Sequence, residues 1–215
     1  MADGKPTLTY FPVHAKADPI RMLLHKAGVD YTNELISFAD FGALKASGAL
    51  PAGQVPLWKT VDGKMLNQAY AIIRLLGRQH GFYDGSSIEE SFLVDWALET
   101  SLDLQNSRAY RVYMQDESTE EELEASKTNF AKFSKQIAAS LTERGTTFFA
   151  GDRLTIADFV ILSHFLSMAF NEANDKPIVA TAAATVAETP IIGEYCERVK
   201  AQLGDYIASR GAYVC

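Results

Sequence analysis

Cysteine is scarce in this chain: two in 215 residues, Cys196 and Cys215. Two thiols, one of them the last residue, do not make a disulfide framework, and they point to a reducing, cytoplasmic compartment. Cys215 also stands at the very end rather than four from it, which excludes a prenylation signal. Histidine is scarce too, with four in all. His14, His25, His80 and His164 show no metal-ligand spacing with one another or with a cysteine, so no metal site is expected. Long apolar runs are missing. Ile178 to Ala187 is weakly polar but well short of the ~20 residues that cross a bilayer. Met1 to Pro6 lacks the apolar stretch of a signal peptide. Positive charge is in deficit, 20 Lys+Arg against 27 Asp+Glu, a net −7. Phosphate binding needs a local positive excess, so nucleic acid and anionic membranes are excluded as main partners. No Gly-rich phosphate loop and no serine nucleophile elbow is present.

What is there is an ordinary globular composition, 47% hydrophobic and 22% charged, which rules out a disordered or fibrous chain. The length allows one or two domains. The first part alternates short apolar runs with helical patterns. Thr7 to Phe11 reads as a strand. Asp18-Pro19 opens a helix with the apolar face Ile20, Met22, Leu23, Leu24 and Ala27, and Gly28 stops it. Tyr31 to Ser37 is a second strand, and Asp40 to Ser47 a short helix. Leu57 to Val61 and Lys64 to Leu66 flank Asp62-Gly63, the signature of a tight hairpin. Gln68 to Gln79 is helical. Gly81 to Ser87 reads as a linker.

Beyond it the pattern is almost purely helical. Ile88 to Gln115 reads as one long amphipathic helix. A second long helix starts at Ser118 or Thr119, ahead of a run of glutamates, and ends near Thr142. After a turn at Gly151 to Leu154, Thr155-Ile156-Ala157-Asp158 opens another helix with a capping-box pattern. Pro190 starts a last helix that ends near Gly204. The expected organisation is an α/β domain over residues 1–80, a linker over 81–87 and an all-helical domain over 88–215.

Two local features suit the binding of a small anionic thiol. Gln54-Val55-Pro56 precedes a strand, where a cis proline would turn Val55 outward to pair with an extended peptide; a trans proline in a plain loop is the alternative. Leu66-Asn67-Gln68 runs straight into a helix, whose N-terminus either binds a carboxylate or is capped by Asn67.

Taken together, Leu8-Thr9-Tyr10-Phe11, Ala17-Asp18-Pro19-Ile20-Arg21, Gln54-Val55-Pro56, Gln68-Ala69-Tyr70-Ala71-Ile72-Ile73-Arg74 and Leu154-Thr155-Ile156-Ala157-Asp158 resemble the cytosolic glutathione transferases. Each motif is weak alone, and the series in that order is specific. Among the tyrosine-type classes the chain looks most like sigma, through Phe38-Ala39-Asp40-Phe41 to Lys45 and Leu50-Pro51-Ala52-Gly53-Gln54-Val55-Pro56.

The resemblance implies a thioredoxin-like first domain, an all-α second domain, and conjugation of glutathione to small hydrophobic electrophiles. Glutathione would be the thiol substrate, with no metal. Tyr10 matches the tyrosine whose hydroxyl stabilises the glutathione thiolate. Val55, with Pro56, matches the backbone that pairs with the cysteinyl part. Gln54, Gln68 and Ala69 match contacts to the γ-glutamyl end. Lys45, Phe41 and Lys16 fall near the glycine end or the sulfur. Asp103 matches an acidic residue that reaches the neighbouring subunit's ligand, which implies a homodimer.

Departures are visible. Ala69 stands where serine is usual, Phe41 where tryptophan is usual, and Lys16 where arginine occurs. Ala52 replaces an aromatic knob at the dimer contact. For the electrophile pocket, Val13, Asn106, Tyr110 and Met114 are candidates. His164, in an apolar run, is either a pocket residue or a core histidine. A glutathione-dependent isomerase of the prostaglandin D synthase kind and a crystallin-like structural protein are the alternative readings.

Overall fold

The computed structural model describes residues 4–107 and 109–213; the sequence-based readings that fall on Met1 to Asp3 and on Cys215 lie outside them. Four strands form one mixed sheet in the order β2-β1-β3-β4. They are β1 (Thr7–Tyr10), β2 (Thr32–Leu35), β3 (Leu57–Lys59) and β4 (Met65–Asn67). β1 runs parallel to β2, with Tyr10 opposite Leu35, and antiparallel to β3, with Thr9 opposite Leu57. The β3–β4 hairpin turns at Asp62-Gly63, where Gly63 takes φ 86°, a conformation that costs glycine little.

Three helices accompany the sheet: α1 (Asp18–Lys26), α2 (Phe38–Ala46) and α3 (Ala69–His80). α1 has Pro19 in its first turn, Asp18 at its positive end, and His25 and Lys26 at its negative end. α2 begins earlier than expected, because Ser37 and Asp40 close a reciprocal capping box. The β1-α1-β2 unit, the β3–β4 hairpin and α3 make the thioredoxin-like arrangement.

The remaining helices are α4 (Ile88–Asn106), α5 (Arg111–Met114), α6 (Glu120–Arg144), α7 (Ile156–Met168), α8 (Pro177–Ala187), α9 (Pro190–Leu203) and α10 (Tyr206–Ser209). α7 is buried along its whole length, as its nearly uninterrupted apolar run requires. Its start is built on Asp158, which is fully buried and accepts from the Thr155 and Phe149 amides at 2.8 and 2.9 Å and from the Tyr195 hydroxyl at 2.7 Å. Burial is the largest influence there and raises the Asp158 carboxyl above its usual range, against the pull of those donors. α3 meets this end of α7 at Gly77: a Cβ there would lie 2.7 Å from Ile156 Cγ2, so only glycine permits the approach.

One expectation is corrected. The stretch Ile88 to Gln115 is not one helix: α4 ends at Asn106, and α5 restarts at Arg111. The run Ile178 to Ala187 is helical, as α8, with Pro177 at its first turn. No described helix is long and apolar enough to cross a membrane. Among the described residues no cluster of His, Cys, Asp and Glu is placed to hold a metal ion.

Candidate active site

Tyr10 ends β1 and is 6% exposed. The chain then leaves the sheet through Phe11 to His14 and a 3-10 turn at Ala15–Ala17, where Ala15 takes φ 32°. Arg21 of α1 holds this segment: its Nη1 donates to the Val13 carbonyl at 2.8 Å, and its guanidinium lies 5.9 Å from the Tyr10 ring centre. From the other side Asp18 is locked. It accepts from Tyr206 Oη at 2.8 Å and from Arg210 Nη2 at 2.8 Å, and it is fully buried. Burial opposes its ionisation most strongly, yet the Arg210 charge and these hydrogen bonds hold its carboxyl below the usual range. His14, buried beside Asp18 at 3.7 Å, is pushed down to about 4 chiefly by that burial and stays neutral.

Two cavities open beside this segment. The first, about 300 Å³, is lined by Lys16, Phe41, Gln54, Val55, Pro56, Gln68 and Ala69, together with Phe11, Tyr70 and Leu102. The Val55-Pro56 peptide is cis. Gln68 caps α3 with φ 72°, a left-handed conformation that costs a residue with a side chain about 1–3 kcal/mol. Its Nε2 donates to Gln54 Oε1 at 3.1 Å, so the two glutamines form one edge of the cavity. Asn67 does not cap α3; its Nδ2 donates to the Pro51 carbonyl at 3.2 Å. The first residues of α3 therefore face the cavity without a side-chain cap, at the positive end of the helix dipole.

The second cavity, about 280 Å³, is lined by Tyr10, Val13, Tyr110 and Met114, with Phe11, Phe38, Lys16, Gln105 and Arg111. Phe11 and Lys16 line both cavities, so the two adjoin at the residue after Tyr10. Phe11 stacks on Phe38 at 4.6 Å and meets Phe41 edge-on at 5.3 Å.

Several expected residues stand elsewhere. Lys45 does not line the first cavity; its stem lies over Gly53, next to Gln54. Asp103 faces away from its own chain's cavity, into a groove beside Asn129 and Lys132 of α6. Asn106 is exposed and lines neither cavity. His164 is a core residue, fully buried behind Tyr110, with Nδ1 2.5 Å from Tyr110 Oη. Burial pushes it down to about 3, so it is neutral. Gln105, Arg111 and Phe38 were missed. Gln105, in the last turn of α4, faces the cavity where its neighbour Asn106 does not, and the break between α4 and α5 resets the helical phase so that Arg111 faces it too. No glycine or proline marks that break; Ser107 Oγ instead bonds back to the Leu104 carbonyl at 2.7 Å. Cys196 is buried and its thiol is raised to about 12 by that burial, so it is not a reactive nucleophile.

Comparison with known proteins agrees with this geometry. A family profile described as "Glutathione S-transferase, C-terminal domain" matches residues 102–202. Glutathione S-transferase 3 of Caenorhabditis elegans is 30% identical over 198 residues, covering 87% of this chain and 93% of that protein. The crystal structure of the glutathione S-transferase from Ascaris lumbricoides superposes with a TM-score of 0.82 at 25% identity, covering 98% of this chain and all of that one (100%). That of monomeric Na-GST-3, from the hookworm Necator americanus, gives 0.79 at 25% identity, covering 96% and 98%. The chain belongs to the glutathione S-transferase family, and its fold is that family's.

Proposed function

We propose that the protein conjugates glutathione to small hydrophobic electrophiles, with glutathione in the first cavity and the electrophile in the second. The observation that carries this reading is the junction: the cavities share Phe11 and Lys16, and Tyr10 lines the second beside them. A thiol held in the first cavity with its sulfur toward Tyr10 meets an electrophile at short range, which makes the reaction effectively unimolecular.

Tyr10 supplies the chemistry. A free thiol with pKa ~8.5 is only about 3% thiolate at pH 7, and the thiolate is the nucleophile. Lowering that pKa by about 2 units takes about 2.7 kcal/mol of preferential stabilisation. One hydrogen bond from the Tyr10 hydroxyl to the charged sulfur contributes about 1.5–3 kcal/mol. The uncapped start of α3 at Gln68 and Ala69 receives the γ-glutamyl carboxylate, Val55 the cysteinyl backbone, and Lys16 and Phe41 flank the ligand. Lys45 reaches the glycine carboxylate from its place over Gly53.

Residues 1–80 then form the glutathione-binding domain and 88–215 the domain that supplies the electrophile wall. We assign the chain to a sigma-like branch of the tyrosine-type enzymes, on the Phe38 to Lys45 and Leu50 to Pro56 segments, acting in detoxification in the cytoplasm as a homodimer. The isomerase and structural-protein alternatives are not favoured by the curated relatives cited, whose names are those of transferases. The test is retention on immobilised glutathione together with conjugation of 1-chloro-2,4-dinitrobenzene. Retention with turnover is the expected result; a protein that neither binds glutathione nor releases chloride contradicts the reading.

A further inference from the structure

The second cavity is apolar on most sides, with Phe11, Val13, Phe38 and Met114 in its wall, yet its charged residues are of one sign. Lys16 and Arg111 both line it, and no acidic residue does. Among the described residues neither cation forms an ion pair. Glu122 is the acid that feels Arg111, but its carboxylate is engaged by the Thr119 amide at 3.0 Å and by Gln115 Nε2 at 3.2 Å. Gln105 adds a side-chain Oε1 that is buried without a partner. The Lys16 and Arg111 side chains are both exposed at the cavity rim without an ion-pair partner among the described residues, where an anionic ligand can reach them. Lys16 also borders the glutathione cavity, whereas Arg111 does not. Arg111 is exposed and also edges a groove with Glu121 and Glu122, but it pairs with neither, so its guanidinium stays open to the second substrate.

We propose that Arg111 makes the second cavity selective for electrophiles that carry a carboxylate on an apolar body. The body lies against Phe11, Phe38 and Met114. The carboxylate meets the planar fork of the Arg111 guanidinium, which matches two carboxylate oxygens as a lysine cannot. An oxygen substituent that donates a hydrogen bond reaches Gln105 Oε1. The inference rests on the transferase reading for its chemistry, but acid recognition is measurable without catalysis.

The probes are 4-chloro-3-nitrobenzoate and its methyl ester for turnover, and 4-phenylbutyrate and 4-phenylbutanamide for binding. In the reaction the glutathione sulfur bonds to the ring carbon that bears chlorine, the C–Cl bond breaks, and chloride leaves with the bonding pair. The carboxylate is a spectator held by Arg111. By calorimetry the wild type should bind the acid about fivefold or more tightly than the amide, with the preference shrinking as salt rises. Arg111→Gln should erase that preference, and Arg111→Lys should retain part of it. The acid-to-ester ratio of kcat/KM should fall in the same order, since a ratio cancels any general loss of activity in the variant. An absent preference in the wild type, or one that survives Arg111→Gln, overturns the proposal. Should 1-chloro-2,4-dinitrobenzene go unconjugated while the binding preference follows Arg111, the transferase reading fails and acid selectivity stands.

Discussion

In the proposed reading, Ala69 is the point where one side chain most directly sets the strength of glutathione binding. It occupies the first turn of α3, lines the first cavity and offers a methyl group where a hydroxyl would meet a carboxylate. Ala69→Ser should tighten glutathione by about 1 kcal/mol, close to fivefold, as measured by calorimetry. Unchanged affinity would mean that the carboxylate rests on backbone amides alone. His14 and His164 make a second residue-scale claim. Burial lowers them to about 4 and about 3, while in the unfolded chain they titrate near 6.5. Below pH 6.5 the unfolded state therefore binds protons that the folded state refuses, and stability falls on acidification. Each histidine contributes a slope of up to about 1.4 kcal/mol per pH unit. Denaturant unfolding at pH 7, 6 and 5 should show this loss, and His164→Gln should reduce the slope. A flat profile would show that the histidines charge freely in the native state.

At the scale of elements, the strongest local signals in the sequence carried through. Asp62-Gly63 makes the hairpin, Thr119 and Glu122 close a capping box at the start of α6, and Thr155 with Asp158 does so for α7. These are short-range chemistries, complete within four residues, and composition reveals them. The α4–α5 break is different. Beside it Tyr110 contacts His164, 54 residues away in sequence, and no residue type from Asn106 to Tyr110 advertises the break. The candidate site divides the same way. Residues placed by strand ends and helix starts, such as Tyr10, Val55 and Gln68, were legible, whereas Arg111, which depends on the phase after the break, was not. The lock on the Tyr10–Lys16 segment also lies beyond local reading, because Asp18 and Arg210 stand 192 residues apart. Arg210→Ala leaves a buried carboxylate without its cation and should cost about 3–5 kcal/mol, seen as a lower unfolding midpoint. It should also raise the KM for glutathione, because the turn that carries Lys16 loses its anchor. A variant as stable as the wild type would show that Tyr206 alone suffices for Asp18.

For the whole molecule, the open question is how copies combine. Asp103 points into the α4–α6 groove rather than toward the first cavity of its own chain, so in the proposed reading it meets a ligand only in a neighbouring subunit. Ala52 is exposed and small, and it offers no aromatic knob for a partner to grip. A dimer built without that lock relies on polar contacts and should loosen with salt. Sedimentation at micromolar concentration should give a dimer at low ionic strength, and Asp103→Asn should weaken glutathione binding without dissociating it. A monomer that conjugates at full rate, in keeping with the relative described as monomeric, would contradict the shared site.

The central claim is that Tyr10 keeps glutathione ionised at neutral pH, and titration of the bound thiolate by its ultraviolet absorbance tests it most directly. Tyr10→Phe preserves the ring and its packing between Phe11 and Arg21 while removing the hydroxyl donor. With the wild type saturated in glutathione, the thiolate should form about 2 units below the free value of ~8.5. In Tyr10→Phe it should form near the free value, with glutathione affinity little changed. Identical titration curves for the two proteins would contradict the account.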